Sequence, residues 1–327
     1  MSEPNANTVR LQKAIADAGV ASRRRAETLI AGGRVKVDDV VVTEMGILVN
    51  PKTQRITVDG KRLQIAEKRR YVALHKPPGY VSTVSDPHAQ KKVIDLVSIP
   101  GVKLKPAGRL DADSEGLILL SDDGDFIYKV THPSNGLGKT YHVTVEGAPD
   151  SDTLNRLARG LTLPGEARKT AKAQVNKLGR SSKGFTQLEM VLHEGRNRQI
   201  RRMLDTVGHP VVRLVRVTVG PILLGTLVPG QWRELTRWEV EAIMAYNVPD
   251  IAVTEEGSKP SETSHRSRPR PGSGKDQRKS AEKRVQVYKD RLNGGLPSGG
   301  EHNVADWGRR QGRRKGFGPN QRGEQKP

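Results

Sequence analysis

GRLDADSEGLILLSDDGDF, residues 108–126, decides how this chain is read. Its second half holds a continuous apolar run at 117–120, closed by Ser121-Asp122-Asp123-Gly124-Asp125, the pattern of a buried strand ending in a turn. Its first half sets Asp111, Asp113 and Glu115 at alternate positions with Gly116 next, as a calcium-binding loop would. The imitation fails further on. The ninth position is Leu119, the twelfth is Asp122 where a bidentate Glu is usual, and Pro106-Ala107-Gly108 upstream is no helix. What remains is a carboxylate, Asp111, on a loop just before a buried strand.

The pattern on either side is rich in strands. Residues 71–75 read as a buried strand broken by Pro77-Pro78-Gly79, and 141–145 and 187–192 alternate, whereas 151–159 and 197–207 carry helical spacing. Strands outnumber helices, in an irregular order. Residues 70–246 are therefore expected to form an α+β domain with a mainly antiparallel mixed sheet. Within it, Gly136-Leu137-Gly138-Lys139-Thr140 ends like a phosphate-binding loop. Pro133 stands where the leading glycine belongs, however, and a strand pattern follows where a helix is needed.

Residues 8–68 read as a smaller unit. Leu11, Ala14, Ile15 and Ala18 share a helical face that ends at Gly19, and Ser22 can cap a second helix carrying Ala26, Leu29 and Ile30, stopped by Gly32-Gly33. Strand patterns follow at 35–37 and 40–42 around the turn Asp38-Asp39, and at 55–58 before Asp59-Gly60. Lys13, Arg23, Arg24, Arg25, Arg34 and Lys36 crowd this unit. A solvated helix end would account for such a cluster. So would contact with phosphates, which needs charge but little base-specific geometry.

Residues 1–7 and 250–327 are expected to be disordered. From 251 on the chain is mostly Ser, Gly, Pro and charged residues, with 18 basic against 9 acidic, too little apolar surface to offset the entropy of ordering. A transient helix is expected near 279–292. The chain as a whole has 327 residues and a net charge of +20, which points to nucleic acid before a membrane surface. No apolar run reaches the roughly 18–20 residues of a membrane span, and MSEPNANTVR has no signal core. With no cysteine, disulfides, thiolate nucleophiles and cysteine-ligated zinc are excluded, and His193-Glu194 lacks the second histidine of a zinc helix. The expectation is a cytoplasmic monomer with no cofactor and no metal.

Two resemblances sharpen this. RLQKAIADAGVASRRRAETLIAGGRVKVDD, residues 10–39, resembles the S4 domain, an RNA-binding module. HKPPGYVST at 75–83, the GRLD string, KTYHV at 139–143, EGRNRQIRRML at 194–204 and RLVRVTVGPILLGTLVPGQWREL at 213–235 resemble, in order and spacing, the RsuA family of pseudouridine synthases. The resemblance implies a pseudouridine synthase fold behind an S4 domain. It also implies isomerisation of a uridine in ribosomal RNA without a cofactor, the nearest branch acting on the large-subunit 23S species. Ribosomal RNA or pre-ribosomal particles are then the partner. Asp111 is implied as nucleophile or base, Arg201 as the guanidinium beside it that favours its charged form, and Tyr141 as the ring stacking on the target base. Arg109, Arg198 and Lys76 become further RNA contacts. Read on their own, Arg201 could instead form an i,i+4 pair with Asp205, and Tyr141 could fill the sheet core. A non-catalytic S4-type RNA-binding protein in ribosome assembly is the alternative; Asp111, Tyr141 and Arg201 standing together argue against it.

Overall fold

The computed structural model describes residues 8–64, 68–84, 86, 90–180 and 184–246. All of them belong to one compact unit, Met1–Val253. The basic tail and the helix expected near 279–292 lie outside the described residues.

At the N-terminal end, β1 (Val9–Arg10) leads directly into α1 (Leu11–Asp17), which packs on α2 (Arg23–Ala31). Ser22 caps α2 as its position suggests, its side chain accepting from the Arg25 N–H at 3.2 Å. β2 (Val35–Val37) and β3 (Val40–Val42) form a hairpin whose two turn residues, Asp38 and Asp39, both sit at positive φ, a conformation aspartate tolerates well for a side-chain-bearing residue. β4 (Leu48–Val49) pairs with β1, while β5 (Ile56–Val58) and β6 (Lys61–Arg62) complete a four-stranded sheet in the order β3-β2-β5-β6. Leu11, Ile15, Leu29, Ile30, Val35 and Ile56 are buried in one core of their own.

The larger part is a single nine-stranded sheet. Its elements are β7 (Tyr71–Lys76), β8 (Lys105–Ala107), β9 (Glu115–Ser121), α3 (Gly124–Thr131), β10 (Lys139–Glu146), α4 (Ser151–Arg159) and β11 (Gln174–Arg180). Then follow β12 (Phe185–Leu192), α5 (Gln199–Thr206), β13 (Val211–Val219), β14 (Ile222–Leu223), β15 (Trp232–Glu234) and α6 (Arg237–Met244). The order is β11-β12-β10-β13-β9-β7-β15, with β14 on β13 and β8 on β9. Every pairing is antiparallel except β13 with β9.

β9 explains its own sequence. Leu117 and Leu119 pack with Phe126 of α3 on one face, Ile118 and Leu120 with Val72 and Leu74 on the other. A strand covered on both faces has no reason to alternate. The turn expected at 121–125 has a second function: the Asp123 side chain accepts from the Asp125 and Phe126 N–H groups and so starts α3. The two modules meet through polar contacts. Lys13 reaches Asp125 at 3.1 Å, Arg69 donates to the Asp17 carbonyl at 2.9 Å, and Lys103 to the Gly19 carbonyl at 3.1 Å.

At the start of β9, Gly116 has φ +103°, and a Cβ there would lie 2.3 Å from the Arg216 carbonyl oxygen. Only glycine lets β13 come in parallel at this point. Gly116→Ala is expected to lower stability by about 3 kcal/mol or more. Gly179→Ala, where a Cβ meets nothing within 4 Å, should change it by less than about 0.5 kcal/mol. Thermal or urea unfolding of the two variants checks this.

Candidate active site

Asp111 lies on the loop between β8 and β9, and this loop is held from behind. Lys76, the last residue of β7, is completely buried, and its ammonium donates to the carbonyls of Ser114 (2.6 Å), Ala112 (3.2 Å) and Pro77 (3.1 Å). Burial pushes its pKa down to about 8, against the opposing pull of the Asp113, Glu115 and Asp111 charges. Gly79 N–H donates to the Ala112 carbonyl at 2.7 Å. Ser82 Oγ donates to the Leu110 carbonyl at 2.7 Å and accepts from its N–H at 3.0 Å. The Lys-Pro-Pro-Gly turn is thus a cradle for the Asp111 loop. Lys76 is not available to RNA, contrary to the sequence expectation, because its side chain is fully buried and its ammonium is taken up by the loop carbonyls.

In front of Asp111 opens a cavity of about 340 Å³. Its lining includes Arg109, Asp111, Lys139, Tyr141, Arg198 and Arg216. Lys139 and Tyr141 stand two apart on β10 and so share a face, and Arg216 is the cross-strand partner of Tyr141 on β13. Tyr141 is half-buried and packs on two of the apolar clusters as well as lining the cavity, so it fills core and faces the site together. The Asp111 carboxylate makes no hydrogen bond or ion pair among the described residues, which leaves it open to the cavity.

The arginine expected beside it is elsewhere. Arg201 places Nε 3.3 Å from the Asp113 carboxylate and donates to the Asp113 and Val211 carbonyls at 3.1 and 3.3 Å. Arg198, three residues before it and so on the same side of α5, grips the same carboxylate with two hydrogen bonds of 3.2 and 3.0 Å. Burial would raise the Asp113 pKa, but the Arg198 hydrogen bonds and the two guanidinium charges together hold it below the usual range. Arg198 itself sits at φ +47° as the N-cap of α5, strain that a non-glycine residue bears only where its surroundings fix it. Asp113, two positions past Asp111, therefore takes the arginines, and the Asp111–Arg201 pair is not formed. Neither is a pair of Arg201 with Asp205.

Of the basic residues on the small module, Arg23, Arg24, Arg25 and Lys36 are exposed. Two are engaged. Lys13 bridges Asp17 (2.8 Å) and Asp125 (3.1 Å), and Arg34 forms a two-point bond with Asp59, both arms 2.7 Å. Asp113, Lys139 and Arg216 stand at the site although the sequence does not single them out for it. Arg216 had a legible signal, since it shares strand parity with Leu214, a core position.

A ligand-sized cavity with one unpaired carboxylate, a tyrosine and a surplus of cations, in a chain whose small module exposes arginines, defines an enzyme of RNA. Comparison with known proteins is specific. The RNA pseudouridylate synthase family matches residues 70–206, and the S4 domain matches residues 9–54. The ribosomal large subunit pseudouridine synthase B of Bacillus subtilis (strain 168) is 43% identical over 237 residues, covering 72% of this chain and 96% of that protein. An uncharacterized RNA pseudouridine synthase of Aquifex aeolicus (strain VF5) is 40% identical over 233 residues, covering 71% and 92%. A crystal structure of a pseudouridylate synthase superposes with a TM-score of 0.53 at 30% identity, covering 72% of this chain and 99% of that one. The chain belongs to the RNA pseudouridine synthase family and is an isomerase of uridine in RNA.

Lys76→Met should destabilise the fold by about 2–4 kcal/mol, because the buried Ser114 carbonyl and the part-buried Pro77 carbonyl lose their donor, while Ala112 keeps the Gly79 N–H. It should lower turnover about tenfold or more by loosening the Asp111 loop while leaving RNA affinity within about twofold. Unfolding curves, single-turnover rates and filter binding separate these effects. A large loss of affinity would restore the RNA-contact reading.

Proposed function

We propose that this protein converts one uridine of large-subunit ribosomal RNA to pseudouridine, as a cytoplasmic monomer, with Asp111 as the reacting carboxylate. The observation that carries this is the unpaired Asp111 carboxylate facing the cavity that Tyr141 lines. The target uridine leaves its stack and enters, at a cost of a few kcal/mol that contacts to the RNA backbone offset. The N1–C1′ bond breaks, the uracil turns, and the C5–C1′ bond forms. C5 gives up a proton and N1 gains one, so no group donor or redox change is called for. Tyr141 stacks on the base. Arg109, exposed at the mouth of the cavity, fills the vacated stack or meets a phosphate. Arg198 and Arg201 act through Asp113, keeping the Asp111 loop in register with α5, and the exposed Arg23, Arg24, Arg25 and Lys36 hold the RNA at a distance from the chemistry.

Pseudouridine mapping in ribosomal RNA from cells lacking the protein tests this. One large-subunit position is expected to lose its pseudouridine and to regain it with the wild type but not with Asp111→Asn. Persistence of every site, or rescue by Asp111→Asn, would refute it. On the RNA-gripping surface, Arg24→Ala should reduce the slope of log affinity against log salt by about 1. Lys13→Met, whose ammonium is already occupied by Asp17 and Asp125, should leave that slope nearly unchanged in titrations across several salt concentrations.

A further inference from the structure

Two cations in the cavity are not used by that reading. Arg216 is 2% exposed. Its Nε donates to the Leu117 carbonyl at 2.7 Å and its Nη1 to the Arg109 carbonyl at 3.3 Å, but its Nη2 is buried with no hydrogen-bond partner. Lys139 is half-buried, and its ammonium reaches the Leu137 carbonyl at 3.2 Å. Neither takes part in an ion pair among the described residues. Burial, together with the neighbouring Arg216 charge, pushes the Lys139 pKa down to about 8. Of the other cations around the cavity, Arg198 is spent on Asp113 and Arg196 on Glu166 and Glu194, while Arg109 is exposed at the mouth.

Two like charges gathered in a pocket without a counter-ion are costly for a fold. An orphaned guanidinium N–H adds to that cost. The cost is relieved when a ligand brings the anion. Asp111 lines the same cavity, yet its carboxylate lies within ion-pair distance of neither cation, so a second anion is needed before the two positive charges are balanced.

We propose that Lys139 and Arg216 form a subsite for a phosphodiester oxygen adjoining the extruded uridine, clamping that nucleotide's backbone while Asp111 acts on it. A phosphodiester carries the full negative charge the pair lacks, whereas a uracil carbonyl is neutral before reaction. A guanidinium and an ammonium lining one cavity also suit phosphate oxygens. The inference rests on Asp111 being the reactive group of this cavity.

The test uses the full chain and a short RNA hairpin containing the mapped uridine. In it, the phosphate 5′ or 3′ of that uridine is replaced by a neutral methylphosphonate. Binding is measured on the D111N background so that chemistry does not intervene. At one of the two positions the methylphosphonate is expected to weaken binding about tenfold or more, and K139M should then add no further loss, because both changes remove the same contact. A methylphosphonate three nucleotides away should add to K139M in full. Fully additive losses at both flanking positions would overturn the proposal. So would methylphosphonates without effect while K139M slows single-turnover conversion at unchanged affinity, a result that would turn the cations toward the base. The methylphosphonate arm needs no altered Lys139 or Arg216, so poor folding of a variant does not blunt it. If D111N itself still converts the uridine, the Asp111 reading fails while the binding cycle still reports on the subsite.

Discussion

The ammonium of Lys76 is the constraint on which the site depends. The loop that carries Asp111 lies outside the sheet, between β8 and β9, so its carbonyls have no ladder partners and take others. Lys76 answers for Pro77, Ala112 and Ser114 with one side chain, and Ser82 answers for Leu110. Burying a charge for this purpose is costly, which is why its pKa falls. The result is a loop fixed to the end of β7, a strand paired on both sides, with β9 and β15.

Charge in this protein is graded by depth. The innermost cations, Lys76 and Arg216, bond to backbone carbonyls and hold chain segments together. A middle group, Arg196, Arg198, Arg201 and Arg202, is bound to carboxylates and ties α5 to the loops around 113 and 166. The outermost arginines of α2 face solvent. The net charge of +20 already cancels the arginines bound to carboxylates, so Lys76 and Arg216, buried against carbonyls, are a part of it that is not offered at the surface.

Much of this could be read in the sequence, and the failures have physical causes. The unbroken run at 117–120 and the alternation at 187–192 located central strands because apolar pattern follows burial directly. Ser22 located a helix start because capping is a local interaction. Helix α3 escaped because Asp123-Gly124-Asp125 reads as a turn, and only Phe126 and Val130 anchor its eight residues in the core. Asp111 and Tyr141 could be singled out from the strings around them. The partner of Arg201 could not, since Asp111 and Asp113 are two residues apart in one loop and only the path of the backbone decides which faces α5. Lys76 was misjudged for a related reason: a lysine beside two prolines looks exposed until the carbonyls that need it are in place.

The polar joint between the two modules has a consequence for descent. Among the described residues their apolar cores have no member in common, and the bonds across the joint include Lys13 with Asp125, Arg69 with the Asp17 carbonyl and Lys103 with the Gly19 carbonyl. Undoing such a seam opens no void in either core, so a few surface changes suffice to detach one partner or graft another. The S4 domain and the synthase domain can then be inherited on separate schedules.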